Sequence, residues 1–208
     1  MLRTYILSLS LIFILSGIAA LSFAQQTSLT YLPDENGALR HWLLLGPFLN
    51  SQSEKSKISE HGTACYGYHT DLLIGSGGET AVAPYAGQIM QPSYRWELLF
   101  NPSEWIDLNS HYEKNDDVVA YAYLILNAEE MMPVKLGLSH NDGLKIFLNG
   151  SQVYEEHMAH VVLNAVSLIV TLEKGDNRLL IKVDEKTGGW GFGLSVKTIH
   201  DKKVKGSD

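Results

Sequence analysis

Cys65 is the one cysteine in 208 residues, which excludes a disulfide framework and leaves stability to a hydrophobic core. Heptads, long amphipathic helices and internal repeats are missing as well, and with them coiled coils, helical bundles and solenoids. Positive charge is scarce, with 16 Lys and Arg against 23 Asp and Glu and a formal net charge of −7. Nucleic acid and anionic membrane surfaces reward clustered basic residues, so neither is an expected partner. Catalytic signatures are lacking too. There is no Gly-x-Ser-x-Gly elbow, and Cys65 comes with no base partner. The pairs Glu155-Glu156 and Asp116-Asp117 are sequence neighbours, which an extended chain sends to opposite faces, so neither makes an acid/base dyad. The expectation is a protein that is not an enzyme.

The one long apolar run lies at the start. Arg3 supplies a positive charge, Ile6 to Leu21 is nearly all apolar, and Ser22-Phe23-Ala24 places small residues before Gln25. That pattern reads as a secretory signal peptide over residues 1–24, cut after Ala24, and implies a secreted or periplasmic protein. Ser8, Ser10, Ser16 and Gly17 interrupt the run, which argues against a retained membrane span. The expected organisation is one β-sandwich domain over residues 25–200 and a loose polar tail over 201–208, where Lys202, Lys203 and Lys205 leave little to bury.

The central signal is a turn. Asn149-Gly150 sits between Leu144–Leu148 and Ser151–Glu155, and Asn-Gly suits a type I′ hairpin because both central residues need positive φ. Further strands are expected at 42–48, ended by Gly46-Pro47, and at 94–100, 118–127, 133–139, 165–172, 178–184 and 190–198. Asn141-Asp142-Gly143, 174–177 and 187–189 separate the later ones. Many short strands with no intervening helix mean an antiparallel β-sandwich or barrel. Alternation puts Val134, Leu136 and Leu138 on one face, Leu144, Ile146 and Leu148 on another, and sets Leu179, Ile181 and Val183 against Leu180, Lys182 and Asp184. Each strand thus offers a face for burial against a second sheet.

Antiparallel strands alternate in direction, so every second connection lies at the same end. The segments 109–117, 140–143, 156–164 and 185–189 share one end and collect His111, Asp116, Asp117, His140, Asn141, Asp142, Glu156, His157, His160 and Glu185. Loops on a rigid scaffold are where function concentrates. The candidate ligand-binding residues are therefore His140, Asn141, Asp142, Glu156 and His157, with Trp190 beside the Gly188-Gly189 turn. Asp116, Asp117 and Asp142 are hard oxygen ligands suited to calcium, the candidate ion, while His140, His157 and His160 could serve a transition metal. Trp42 and Trp190 fit a core; Trp105, between Pro102 and Asp107, fits neither reading.

The order Trp42-x-x-x-Gly46-Pro47-Phe48, Gly77-Gly78-Glu79, Asn141-Asp142-Gly143 with Asn149-Gly150, Gly175-x-Asn177-x-x-Leu180-x-Lys182 and Gly189-Trp190-Gly191-Phe192 resembles secreted bacterial domains of the galactose-binding-like type. The resemblance spans roughly residues 40–198. It implies an all-β fold, an antiparallel β-sandwich of jelly-roll form, and the non-catalytic carbohydrate-binding role such domains play beside polysaccharide-degrading enzymes. Two roles stay open: lectin-like recognition of a glycan, through the loops at one end or an aromatic face, and docking on a partner protein without sugar.

Overall fold

The alternating segments form antiparallel strands joined by the expected turns. The structure is a computed structural model that describes residues 33–50, 66–113, 116–157 and 162–199; the expected signal peptide, Cys65, His160 and the tail lie outside them. The strands are β1 His41–Leu49, β2 Ile89–Gln91, β3 Tyr94–Arg95, β4 Glu97–Phe100, β5 Ile106–Asp107, β6 Val118–Ala128, β7 Met132–Asn141, β8 Leu144–Leu148, β9 Ser151–Glu156, β10 Val162–Leu172, β11 Gly175–Glu185 and β12 Gly191–Thr198. Short helices cover Tyr66–His69 and Leu108–Tyr112. A six-stranded sheet runs β4-β1-β6-β11-β8-β9, a four-stranded sheet runs β10-β7-β12-β5, and β2 and β3 pair separately. The arrangement is β-sandwich-like. Among the described residues no helix is long and apolar enough to cross a membrane.

Two segments depart from expectation. β1 does not stop at Gly46-Pro47; its register on β6 shifts between Leu45 and Phe48 and the strand continues, because proline lacks the ladder N–H and is tolerated where pairing slips. The segment 94–100 is two strands. At the break the Trp96 amide donates to the Gln88 carbonyl at 2.9 Å, and its indole is fully buried. Asn149 and Gly150 both take positive φ, 52° and 87°, as a type I′ turn requires.

The faces predicted for β7, β8 and β11 meet between the sheets. Leu136, Leu138, Ile146, Leu179, Ile181, Phe192 and Leu194 share one core with Trp42 and Trp190. A second core lies on the opposite face of the six-stranded sheet, where Tyr68, Leu73, Val82 and Trp96 cover Leu43, Leu45, Val119, Tyr121, Tyr123 and Leu180. Strands of that sheet are therefore buried on both sides. This is why β6 reads as an almost unbroken apolar run.

The second cover explains a charged residue on the face opposite Leu179, Ile181 and Val183. Lys182 is fully buried; its ammonium donates to the Thr70 carbonyl at 2.5 Å and to Glu79 Oε1 at 2.7 Å. The Tyr121 hydroxyl donates to the same Glu79 oxygen at 2.6 Å. Burial pulls the Lys182 ammonium below the usual lysine range, against the pull of Glu79. An unpaired ammonium here would cost several kcal/mol, so the Glu79 loop must close over the sheet for this side chain to be tolerated. Asp71 shapes that loop, accepting from the Leu73 amide at 2.8 Å and the Glu79 amide at 3.0 Å.

Candidate functional site

The parity of the connections gathers the expected loops at one end. The Asp117 amide donates to the Lys186 carbonyl, the Asp142 amide to the Asp184 carbonyl, and Asn109 Nδ2 to the Gly188 carbonyl at 2.8 Å. Asn141 Nδ2 donates to the Gly189 carbonyl.

Within this end the polar groups engage one another. His140 is fully buried. Its Nδ1 lies 2.7 Å from the Asp142 carbonyl, which can only accept, so Nδ1 carries the proton. Its Nε2 lies 3.2 Å from the Tyr154 hydroxyl and 3.5 Å from Glu156 Oε2, and that hydroxyl donates its one hydrogen to Glu156. Burial and the Glu156 carboxylate push the Tyr154 phenol well above its ordinary range. Asp142 is 5% exposed, and its Oδ2 accepts from the Lys186 amide at 2.9 Å. Burial holds its carboxyl above the usual range, the Lys186 amide works against this, and the Asp184 carboxylate adds to it.

Asp184 was not among the expected site residues, yet it is the centre of this end. It is 2% exposed, and its Oδ2 accepts from Asn50 Nδ2 at 3.3 Å and faces His157 Nε2 at 3.0 Å. Its Oδ1 has no hydrogen-bond partner among the described residues and lies against Gly143, where an added Cβ would sit 2.2 Å away. The glycine of the Asn141-Asp142-Gly143 turn is therefore needed for close approach to Asp184. The His157 ring stacks on Tyr68 at 4.4 Å, and the Tyr68 hydroxyl reaches the Leu144 and Glu156 carbonyls, each at 3.1 Å.

The structure thus brings His140, Asp142, Glu156 and His157 together. It sets Trp190 apart: the indole is 1% exposed in the core, stacked on Tyr112 at 5.8 Å, so no face of it is open to a ligand. Asp116 is exposed, while Asp117 is held through its backbone by Lys186 and Asn50. Among the described residues no group of three or more His, Cys, Asp or Glu is arranged to hold a metal ion.

Trp105, the tryptophan that the sequence left unassigned, forms a wall of a second polar region. A cleft of about 160 Å³ opens on the outer face of the four-stranded sheet, lined by Ala38, Glu104, Trp105, Gly137, Ser139, Gly193, Leu194 and Ser195. It exists because two separate segments share the edge of β12. The Leu39 amide and the Gly37 carbonyl bond to Leu194 and Val196, whereas β5 pairs with Gly191 and Phe192. The gap between them is the cleft.

Small residues keep the cleft open. A Cβ at Gly191 would lie 2.7 Å from the Trp105 indole and 2.4 Å from the Ile106 carbonyl, and one at Gly137 would lie 2.7 Å from Ser195 Oγ. The walls are fastened from behind. Arg40 Nε donates to Asp34 Oδ2 at 2.7 Å and its guanidinium also bonds to the Pro102 carbonyl. Partial burial works to raise the Asp34 carboxyl, but the Ala38 amide and Arg40 outweigh it and hold the group below its ordinary range. Asn101 Nδ2 donates to the Trp105 carbonyl at 2.6 Å. Trp105 is half-buried and Glu104 exposed, so an aromatic surface and a carboxylate both border the opening. Asn141 lies one same-face step beyond Ser139 on β7.

No protein-family model matches this sequence, and no curated protein matches it. Similar solved structures include an anti-sigma factor domain-containing protein, at 12% identity over 53% of this chain and 40% of that chain, with a TM-score of 0.40. Another is a beta-glucosidase from Kluyveromyces marxianus in complex with glucose, at 12% identity over 76% of this chain and 17% of that chain, also with a TM-score of 0.40. The chain thus spans less than half the length of the first and less than a fifth of the second. Likeness this loose bears on neither ligand nor activity.

Proposed function

We propose that this chain is an exported, non-catalytic glycan-binding module, a jelly-roll sandwich of the galactose-binding-like type, and that the Trp105 cleft is its binding region. The observation that carries the reading is a half-buried tryptophan and a carboxylate bordering a cleft with a floor of glycine and serine. Sugars present apolar C–H faces ringed by hydroxyls, so their sites pair an aromatic surface with a few polar groups. The volume, about half that of the smaller drug-sized pockets at about 300 Å³, suits a single sugar ring with the rest of the glycan outside. Binding of this kind is expected in the millimolar to micromolar range, about −4 to −8 kcal/mol.

The test is retention on insoluble polysaccharides and a glycan array, for the natural chain and for Trp105→Ala. Retention that Trp105→Ala abolishes supports the reading. No retention on any glycan at hundreds of micromolar protein, about the middle of that range, contradicts it.

One observation favours docking on a partner protein instead. β4 is an edge strand whose Leu98 and Phe100 are 51% and 59% exposed, and apolar edges are places where another chain can add.

A further inference from the structure

From the face around the cleft we infer a subsite for an anionic group, so that the glycan it takes carries a carboxylate or sulfate beside the ring held at Trp105. This rests on the glycan-binding reading above and adds the charge of the ligand. Lys135 on β7 and Lys197 on β12 are direct cross-strand partners and both are exposed. They occupy the same outer face as the cleft, one same-face step from the partnered Gly137 and Ser195. At about 3.4 Å per residue that step is about 7 Å, which lysine stems and a ring substituent span together.

Like charges directly opposite on neighbouring strands repel and destabilise the pairing. Neither ammonium has a carboxylate within ion-pair reach among the described residues, where carboxylates pair instead with Arg40, Lys145, Lys182 and three histidines. In a chain of net charge −7, two facing lysines without an acid between them are a local exception. The third residue in that row, Ile169 on β10, is 67% exposed and carries no charge. An anion placed between the two ammoniums removes their repulsion and gains two charge-assisted hydrogen bonds.

Glu104 lies on the cleft wall, away from the lysine row. Beyond Lys197, Asp34 and Glu35 line a neighbouring hollow with it, Asp34 being held by Arg40; on the sheet face itself a carboxylate borders the ring site and two ammoniums lie beyond its other end. That polarity fixes the direction in which an asymmetric glycan lies. A neutral sugar ring at Trp105 with its acidic neighbour over Lys135 and Lys197 satisfies both; the reverse orientation sets the acid against Glu104.

The test compares matched oligosaccharides that are neutral, uronate-bearing or sulfated. Binding is measured by calorimetry for the natural chain, for the double variant Lys135→Gln with Lys197→Gln, and for Trp105→Ala. The uronate or sulfate form should bind about three- to tenfold tighter than the neutral one, as expected for two exposed ion pairs. That advantage should vanish in the lysine variant and in 0.5 M salt, and which anion gains more identifies the group. Equal affinity for neutral and anionic forms, with Trp105→Ala abolishing both, overturns the subsite and leaves the glycan reading intact. No binding of any of them overturns both. Both lysines are exposed, so the variant should fold normally, which its melting curve would verify.

Discussion

At the end of the sandwich, His140, Asp142, Tyr154, Glu156, His157 and Asp184 hydrogen-bond to one another and to nearby backbone. Around the outer-face cleft, the Glu104 and Ser195 side chains make no hydrogen bond or ion pair to another described residue, and Trp105 leaves part of its ring open. The first region is richer in functional-looking residue types, yet its polar atoms, Asp184 Oδ1 excepted, go largely into fastening β7, β9 and β11 together. The second is poorer in such residues but leaves Glu104, Ser195 and part of the Trp105 ring available. Residue type nominates a site; what its polar atoms already face decides whether a ligand can use it.

The comparison breaks most visibly at Asp184. Asp184→Ala strips Asn50 and His157 of a shared buried acceptor, and leaving such donors unsatisfied should cost about 2–4 kcal/mol. Urea unfolding at pH 7 would measure it, and a loss below about 0.5 kcal/mol, the size of an ordinary surface substitution, would mean that this end is not a structural fastening. Trp105→Ala should do the opposite: cost about 1 kcal/mol, since the ring is only half-buried, while removing glycan retention. A large destabilisation with unchanged retention would reverse the two roles.

The smallest effect is the most specific. Asp142→Asn keeps an acceptor for the Lys186 amide but removes a charge whose burial is unfavourable. Because the folded carboxyl titrates above its unfolded value, the native form binds more protons than the unfolded chain between the two, and stability falls as pH rises through that interval. The variant should therefore be more stable than the natural chain at pH 7. The gain should fade as the pH falls toward about 4, the ordinary aspartate range. Paired melts at pH 7 and pH 4 would show it; a loss at pH 7 would mean that the Asp142 charge itself is needed, as a bound cation would require.

Much of the scaffold was legible in the chain. Strands from Val118 onward follow from period-two alternation and from turns such as Asn149-Gly150, and the gathering of four loops at one end follows from counting strand directions. Burial of the second face of the six-stranded sheet was not legible. Its cover is built from Tyr68, Leu73, Val82 and Trp96, isolated apolar residues among glycines and prolines with no period to read, so nothing in the sequence marks the face of Lys182 and Asp184 for burial. Trp105 was illegible for a related reason. Its cleft arises where two segments far apart in sequence, 37–39 and 104–107, divide one strand edge, and local pattern carries no trace of that.

The most direct test of the account is amide chemical-shift mapping with an oligosaccharide that the protein retains. Ligand should shift the amides of Gly137, Ser139, Gly193 and Ser195 and the Trp105 indole N–H, and leave those of Asp142, Gly143, His157 and Asp184 in place. Shifts concentrated on the latter four, with the cleft silent, would contradict the assignment of binding to the outer face.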